Sequence, residues 1–154
     1  MRKNIAFLLA ALFILASLFS CGKNPEPEEM LAEFMSLYSV EGIIYSPTRG
    51  EGEDGYIDDG LFSEIYIFDG APPERYAVFL NSRTDFGSEC GVFVSYSAEQ
   101  RERIVEMCCE RIRLLGGGSD NCFVSVRGAV IFYSTMSDKA RAEAIWEKIV
   151  ASHT

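Results

Sequence analysis

The sequence predicts a two-layer α+β sandwich: a four-stranded sheet in the order β-β-α-β-β-α, helices on one face, preceded by an N-terminal helix. Three observations predict it. Apolar runs rich in β-branched and aromatic residues recur in pairs, and each pair is followed by a stretch with apolar residues at helical spacing. The chain has 154 residues, 48% of them hydrophobic, which suits one ordinary domain and not two.

The first twenty residues stand apart. Arg2 and Lys3 precede an uncharged apolar run over 5–19 (IAFLLAALFILASLF), short for a membrane span and suited to the hydrophobic region of a secretory signal. The run ends in Leu18-Phe19-Ser20-Cys21-Gly22, with an aliphatic residue three before a cysteine and a small one just before it. This resembles the lipobox of bacterial lipoproteins, with Phe19 a departure where a small residue is usual. The resemblance implies diacylglyceryl attachment at the Cys21 sulfur and cleavage before it. Residues 1–20 then read as a signal peptide and 21–29 as lipidated cysteine and acidic, proline-bearing spacer; 30–154 form the domain. Two acyl chains, at ~0.8 kcal/mol per buried methylene, hold a protein durably where one does not. The expected location is extracytoplasmic, on the outer face of the bacterial cell membrane, with that membrane as partner through the lipid.

Pro27, Glu28 and Glu29 open a helix over about 27–39, with Met30, Leu31, Phe34, Leu37 and Tyr38 at helical spacing. Glycines then make the chain irregular up to Gly60. Residues 61–68 (LFSEIYIF) fit a short helix ended by Asp69-Gly70, since Leu61, Ile65 and Phe68 share a helical face. Residues 75–80 (RYAVFL) and 90–96 (CGVFVSY) are strands. Ser97 caps a helix reaching about Leu115, its apolar face carrying Ile104, Val105, Cys108, Ile112 and Leu115, and three glycines stop it. Residues 122–126 and 129–134 are two more strands joined through Arg127-Gly128, and Ser137 or Asp138 opens the last helix through Ala142, Ile145, Trp146 and Ile149. With both later helices on one face, the other would carry Phe79, Phe93, Phe123, Val130 and Phe132, an interaction patch unless the N-terminal helix or residues 61–68 cover it.

Charge narrows the function. There are 23 acids against 14 bases, a net of −9, with no basic stripe, which argues against nucleic acid. The acidity is lopsided: residues 22–70 hold twelve acids and two bases, residues 71–154 eleven and ten. The densest stretch, 51–59, offers oxygen ligands of the kind calcium takes, but its spacing is not that of an EF-hand loop, and a solvated acidic loop is the better reading. The single histidine, His153, lies beside the C-terminus. No catalytic constellation, cofactor site or metal site emerges from the residue pattern.

Four cysteines follow Cys21, at 90, 108, 109 and 122, in no zinc spacing. Outside the cell a disulfide is allowed, and Cys90 with Cys122, each opening a strand, is the best bridge candidate if those strands are neighbours. Four buried free thiols are the competing state.

Beyond the lipobox, three segments carry a further resemblance: Ser88-Glu89-Cys90-Gly91-Val92-Phe93-Val94, Glu110-Arg111, and the run from Cys122 to Phe132 before a Trp-containing helix. Together they resemble a family of small bacterial lipoproteins, common in Gram-positive anaerobes, whose domain has no assigned function. The resemblance covers roughly residues 60–150, supports a helix at 61–68 and supplies no catalytic residues. The glycine-poor loop from Asn81 to Glu89 and the extra cysteines are departures. Glu89 and Arg111 are candidates for a surface ion pair or a binding site.

The functional expectation is a small tethered binding or interaction module for a protein or peptide. The alternative is a structural subunit or homodimer of an envelope complex, and further behind stands an envelope hydrolase using paired carboxylates.

Overall fold

A computed structural model describes residues 24–68, 70–80, 88–116 and 120–153. The signal segment, Cys21 and most of the loop beginning at Asn81 lie outside the described residues. The elements are α1 (Pro27–Tyr38), β1 (Ile44–Tyr45), α2 (Asp59–Tyr66), β2 (Arg75–Phe79), β3 (Cys90–Val94), α3 (Ala98–Leu114), β4 (Phe123–Arg127), β5 (Val130–Ser134) and α4 (Lys139–His153). The architecture is α+β around one antiparallel five-stranded sheet, in the order β1-β2-β3-β5-β4.

Local chemistry sets the boundaries. Pro27 begins α1, which runs to Tyr38 against an expected 39. Asp58 accepts a 2.7 Å bond from the Leu61 N–H and so starts α2 earlier than residue 61. Ser97 caps α3 by accepting from the Gln100 N–H, and Asp138 accepts from the Arg141 N–H at the head of α4. Gly128 takes φ +60°, as the first central position of a type II′ hairpin between β4 and β5 requires.

Two features of the expected sandwich are corrected. The sheet has five strands, because Ile44–Tyr45 pairs with Phe79 and Val78. The later helices do not share a face: α1 and α4 cover one side, α2 and α3 the other, giving three layers. The reason lies in β2, β3 and β5, which are apolar at both alternating positions and buried on both sides. Ala77, Phe79, Cys90, Val92, Val94, Val130 and Phe132 face α1 and α4. Tyr76, Val78, Phe93, Ile131 and Tyr133 face α2 and α3. A sheet with two apolar faces needs helices on both.

The proposed aromatic patch is therefore not an open surface. Phe79, Val130 and Phe132 are buried beneath α1 and α4, Phe123 packs against the same core half-buried, and Phe93 points the opposite way. Trp146 stacks on Phe132 at 4.1 Å between ring centroids, and Phe34 of α1 packs against the same Phe132 ring, tilted, at 4.9 Å. On the opposite side Phe62, Tyr66, Tyr76, Phe93 and Tyr133 form a continuous aromatic cluster. No helix among the described residues is long and apolar enough to cross a membrane.

Candidate functional site

Glu89 and Arg111 come together, and not at the surface. Glu89 is 5% exposed at the entry to β3, and Arg111 reaches it from the last turn of α3. The guanidinium donates twice, Nε to Oε2 at 2.9 Å and Nη2 to Oε1 at 2.7 Å, a bidentate pair. Its Nη1 donates to the Ile65 carbonyl at 3.1 Å, so the same side chain also ties down the end of α2. The Tyr133 hydroxyl sits 3.4 Å from Oε2 and 2.8 Å from the Tyr66 hydroxyl. The Glu89 backbone is held as well: its N–H donates to Thr135 Oγ1 at 2.8 Å and its carbonyl accepts from the Thr135 N–H at 2.9 Å.

Electrostatics follow from burial. Desolvation alone would pull the Arg111 pKa down, but the bonds and charge of Glu89 outweigh it and the net shift is up. Burial raises the Tyr66 and Tyr133 phenols far above their ordinary range, with the Glu89 charge pushing the same way. Both carboxylate oxygens and three guanidinium nitrogens are engaged, so the network is closed on itself. It fastens β3, α2 and α3 together and offers no free nucleophile or base. Tyr66, Tyr133 and Thr135 belong to it although they carry no sequence signal: Tyr133 and Thr135 reach Glu89 across 44 and 46 residues of chain, and Tyr66 reaches Tyr133 across 67.

Cys90, Cys108, Cys109 and Cys122 are free thiols. The bridge candidate Cys90–Cys122 fails on topology, because β5 lies between β3 and β4. Two strand spacings are about 9.5 Å, beyond disulfide reach. Cys90 also shares its side with Val92 and Val94 under α1 and α4, whereas the parity of Cys122 is that of Val124, which packs toward α2 and α3. Burial raises the Cys90 and Cys108 thiols, leaving them poor nucleophiles.

The acidic stretch 51–59 is tied in place. Arg49 pairs with Glu28 of α1 and donates to the Asp54 carbonyl at 2.7 Å, and an isolated bridge joins Ser46 to Tyr56. Gly55 is required there: at φ +85°, an added Cβ would lie 2.2 Å from the Ile44 carbonyl. Among the described residues no group of three or more His, Cys, Asp or Glu side chains could hold a metal ion. Several carboxylates elsewhere are matched to arginines, Glu26 with Arg75, Glu110 with Arg113 and Glu147 with Arg127.

Surface clefts are shallow. The largest described, about 510 Å³, lies at the start of α1, where Glu26 and Glu28 already hold Arg75 and Arg49. A groove of about 370 Å³ runs along β4, with Glu143 and Glu147 of α4 as its far wall. It differs in chemistry because its floor is a sheet edge. Arg127 and Val130 are the register partners that flank a two-residue turn, the position of a hydrogen-bonded pair, so by alternation Phe123, Ser125 and Arg127 direct their backbone groups to β5, and Val124 and Val126 direct theirs outward. Val126 is 42% exposed, and the Ser125 hydroxyl is buried with no hydrogen-bond partner. β1, the opposite edge, is only two residues long.

The chain matches no protein-family model, no curated protein and no solved structure.

Proposed function

We propose that this protein is an extracytoplasmic lipoprotein, anchored through Cys21, whose domain is an interaction module that docks a protein partner at the β4 edge. The Leu18-Phe19-Ser20-Cys21 pattern behind an apolar leader supports the anchor. One observation carries the docking: β4 is the only strand of five residues at an edge among the described residues, and it leaves the N–H and C=O of Val124 and Val126 without ladder partners beside a groove. A strand laid there gains main-chain hydrogen bonds, the mode called strand addition. The sheet faces are covered, so a flat aromatic patch does not compete with it, and Glu26, Glu28, Glu89, Glu110 and Glu147 are each paired with an arginine.

The anchor is tested by intact mass of the protein from membranes: a diacylglyceryl-modified cysteine at the N-terminus supports it, and an unmodified Cys21 or an uncut leader overturns it. The docking is tested with a photoactivatable side chain at Val126 in full-length protein in its own membrane. A cross-linked adduct lost on Val124→Pro supports it; no adduct overturns it.

A further inference from the structure

We infer that the partner at the β4 edge is a second copy of this chain, joined by a two-fold axis through Ser125 to make one sheet of ten strands. This rests on the edge reading above and names its occupant.

The segment Phe123-Val124-Ser125-Val126-Arg127 is built to meet itself. In an antiparallel pairing centred on Ser125, each Val124 lies opposite the partner's Val126, and both lie on the same side of the sheet. Those are the two residues whose backbone groups point outward, so the pairing forms hydrogen bonds in reciprocal sets. The half-exposed Val126 gains an apolar neighbour in each half. Ser125 lies opposite its own copy, and its hydroxyl, buried and unpartnered in the single chain, meets the one group that can both donate to it and accept from it.

Charge fits the same register. Arg127 lies opposite the partner's Phe123. Along α4, Glu147 sits beside Arg127, joined at 2.6 Å, and Glu143 is one turn nearer the Phe123 end, because α4 leaves the sheet from Ser134, the register partner of Phe123. The arginine of each copy therefore arrives beside Glu143 of the other, a side chain half-exposed and only 4.0 Å from Lys139. The charge of the whole chain does not oppose this contact, since the acids are concentrated before residue 71 and the later half carries eleven acids against ten bases. One five-residue edge is small for an interface, so the contact is weak in dilute solution and relies on confinement to the membrane plane.

The test uses the full-length chain in its own membrane, with exposed Cys109 replaced by serine. Ser125→Cys should give an oxidant-induced dimer of twice the mass, because the axis sets residue 125 against itself. Phe123→Cys alone should not, but should cross-link to a co-expressed Arg127→Cys chain. Val126→Lys, which sits outward on the edge and spares the core, should reduce the Ser125→Cys dimer about tenfold, as two valine pairs are lost. A dimer from Phe123→Cys alone, or none from Ser125→Cys, overturns the two-fold. The photoactivatable group at Val126 separates the two readings. An adduct of foreign mass overturns self-pairing and keeps the docking edge; no adduct overturns both.

Discussion

Replacing Arg111 by methionine should destabilise the domain by about 3 kcal/mol, and replacing Glu89 by glutamine in that background should return most of the loss. The substitution strips two charge-assisted bonds, at 2.9 and 2.7 Å, from a carboxylate whose side chain is 7% exposed. It also frees the Ile65 carbonyl. Breaking a buried pair by removing one partner costs about 3–5 kcal/mol. The lower end applies because the Arg111 side chain is 18% exposed and water can enter where it stood. Glutamine at 89 removes the uncompensated charge and keeps an oxygen for the Tyr133 hydroxyl, so the double substitution should be less damaging than the single one by about 2 kcal/mol. Urea unfolding followed by circular dichroism reads the difference as a midpoint shift at constant slope, matched by a fall in Tm of roughly 10 °C. A cost below about 1 kcal/mol that added salt reduces further, with no rescue by Glu89→Gln, would mean a solvated surface pair and refute the reasoning.

Trp146→Ala removes the ring stacked on Phe132 at 4.1 Å and should cost about 3–5 kcal/mol, measured by the same unfolding curves. Gly91→Ala places a Cβ 2.7 Å from the Tyr133 ring and 3.0 Å from Val78, so it should cost about 1–3 kcal/mol and disturb the Tyr133–Tyr66 pair, visible in the near-ultraviolet dichroism. Ile67, a β-branched residue at φ +48° and 63% exposed, loses strain and little burial on change to glycine, so Ile67→Gly should raise Tm, the gain being at most about 1 kcal/mol. Alkali should unfold the protein cooperatively. The Tyr66 and Tyr133 pKa values are raised in the fold, so the unfolded chain releases those protons first; their stabilisation is complete below about pH 10 and falls as pH rises beyond it, by ~1.4 kcal/mol per pH unit for each phenol. Phenolate absorbance of these two residues should appear with the loss of secondary structure, not before it.

Much of this was legible in the residue string because the information was local. Proline and acids place α1, Ser97 places α3, and glycine 128 places the last hairpin. What was hidden depends on contacts distant in sequence. Two strand residues at 44–45 carry too little pattern to announce a fifth strand. A single apolar stripe on each later helix points to one shared face; the sign that they divide lies in the strands, where Tyr76-Ala77-Val78-Phe79 and Val130-Ile131-Phe132-Tyr133 show no polar alternation at all. The sequence offers Glu89 and Arg111 as a candidate surface pair or binding site, but their burial depends on Tyr66 and Tyr133 from distant segments. The bridge between Cys90 and Cys122 assumed adjacent strands, and a hairpin returning through β5 separates them. The docking edge was invisible for a related reason: β4 looks like its neighbours until strand order shows it to be outermost.

The fastening of the spacer to the domain bears on how the molecule would stand on a surface. Arg75 donates to the Pro25 carbonyl and to Glu26, and the Tyr96 hydroxyl donates to Asn24 at 3.1 Å, so the segment ahead of α1 is moored to the body of the fold. Under the anchor proposed above, Asn24 stands three peptide steps from Cys21, a contour of at most about 11 Å. The body would then stay close to the headgroups with restricted tilt, and β4, three strand positions from Arg75, would keep a height above the bilayer set by the fold. Neighbouring copies gliding in that plane would present their edges to each other at matching height.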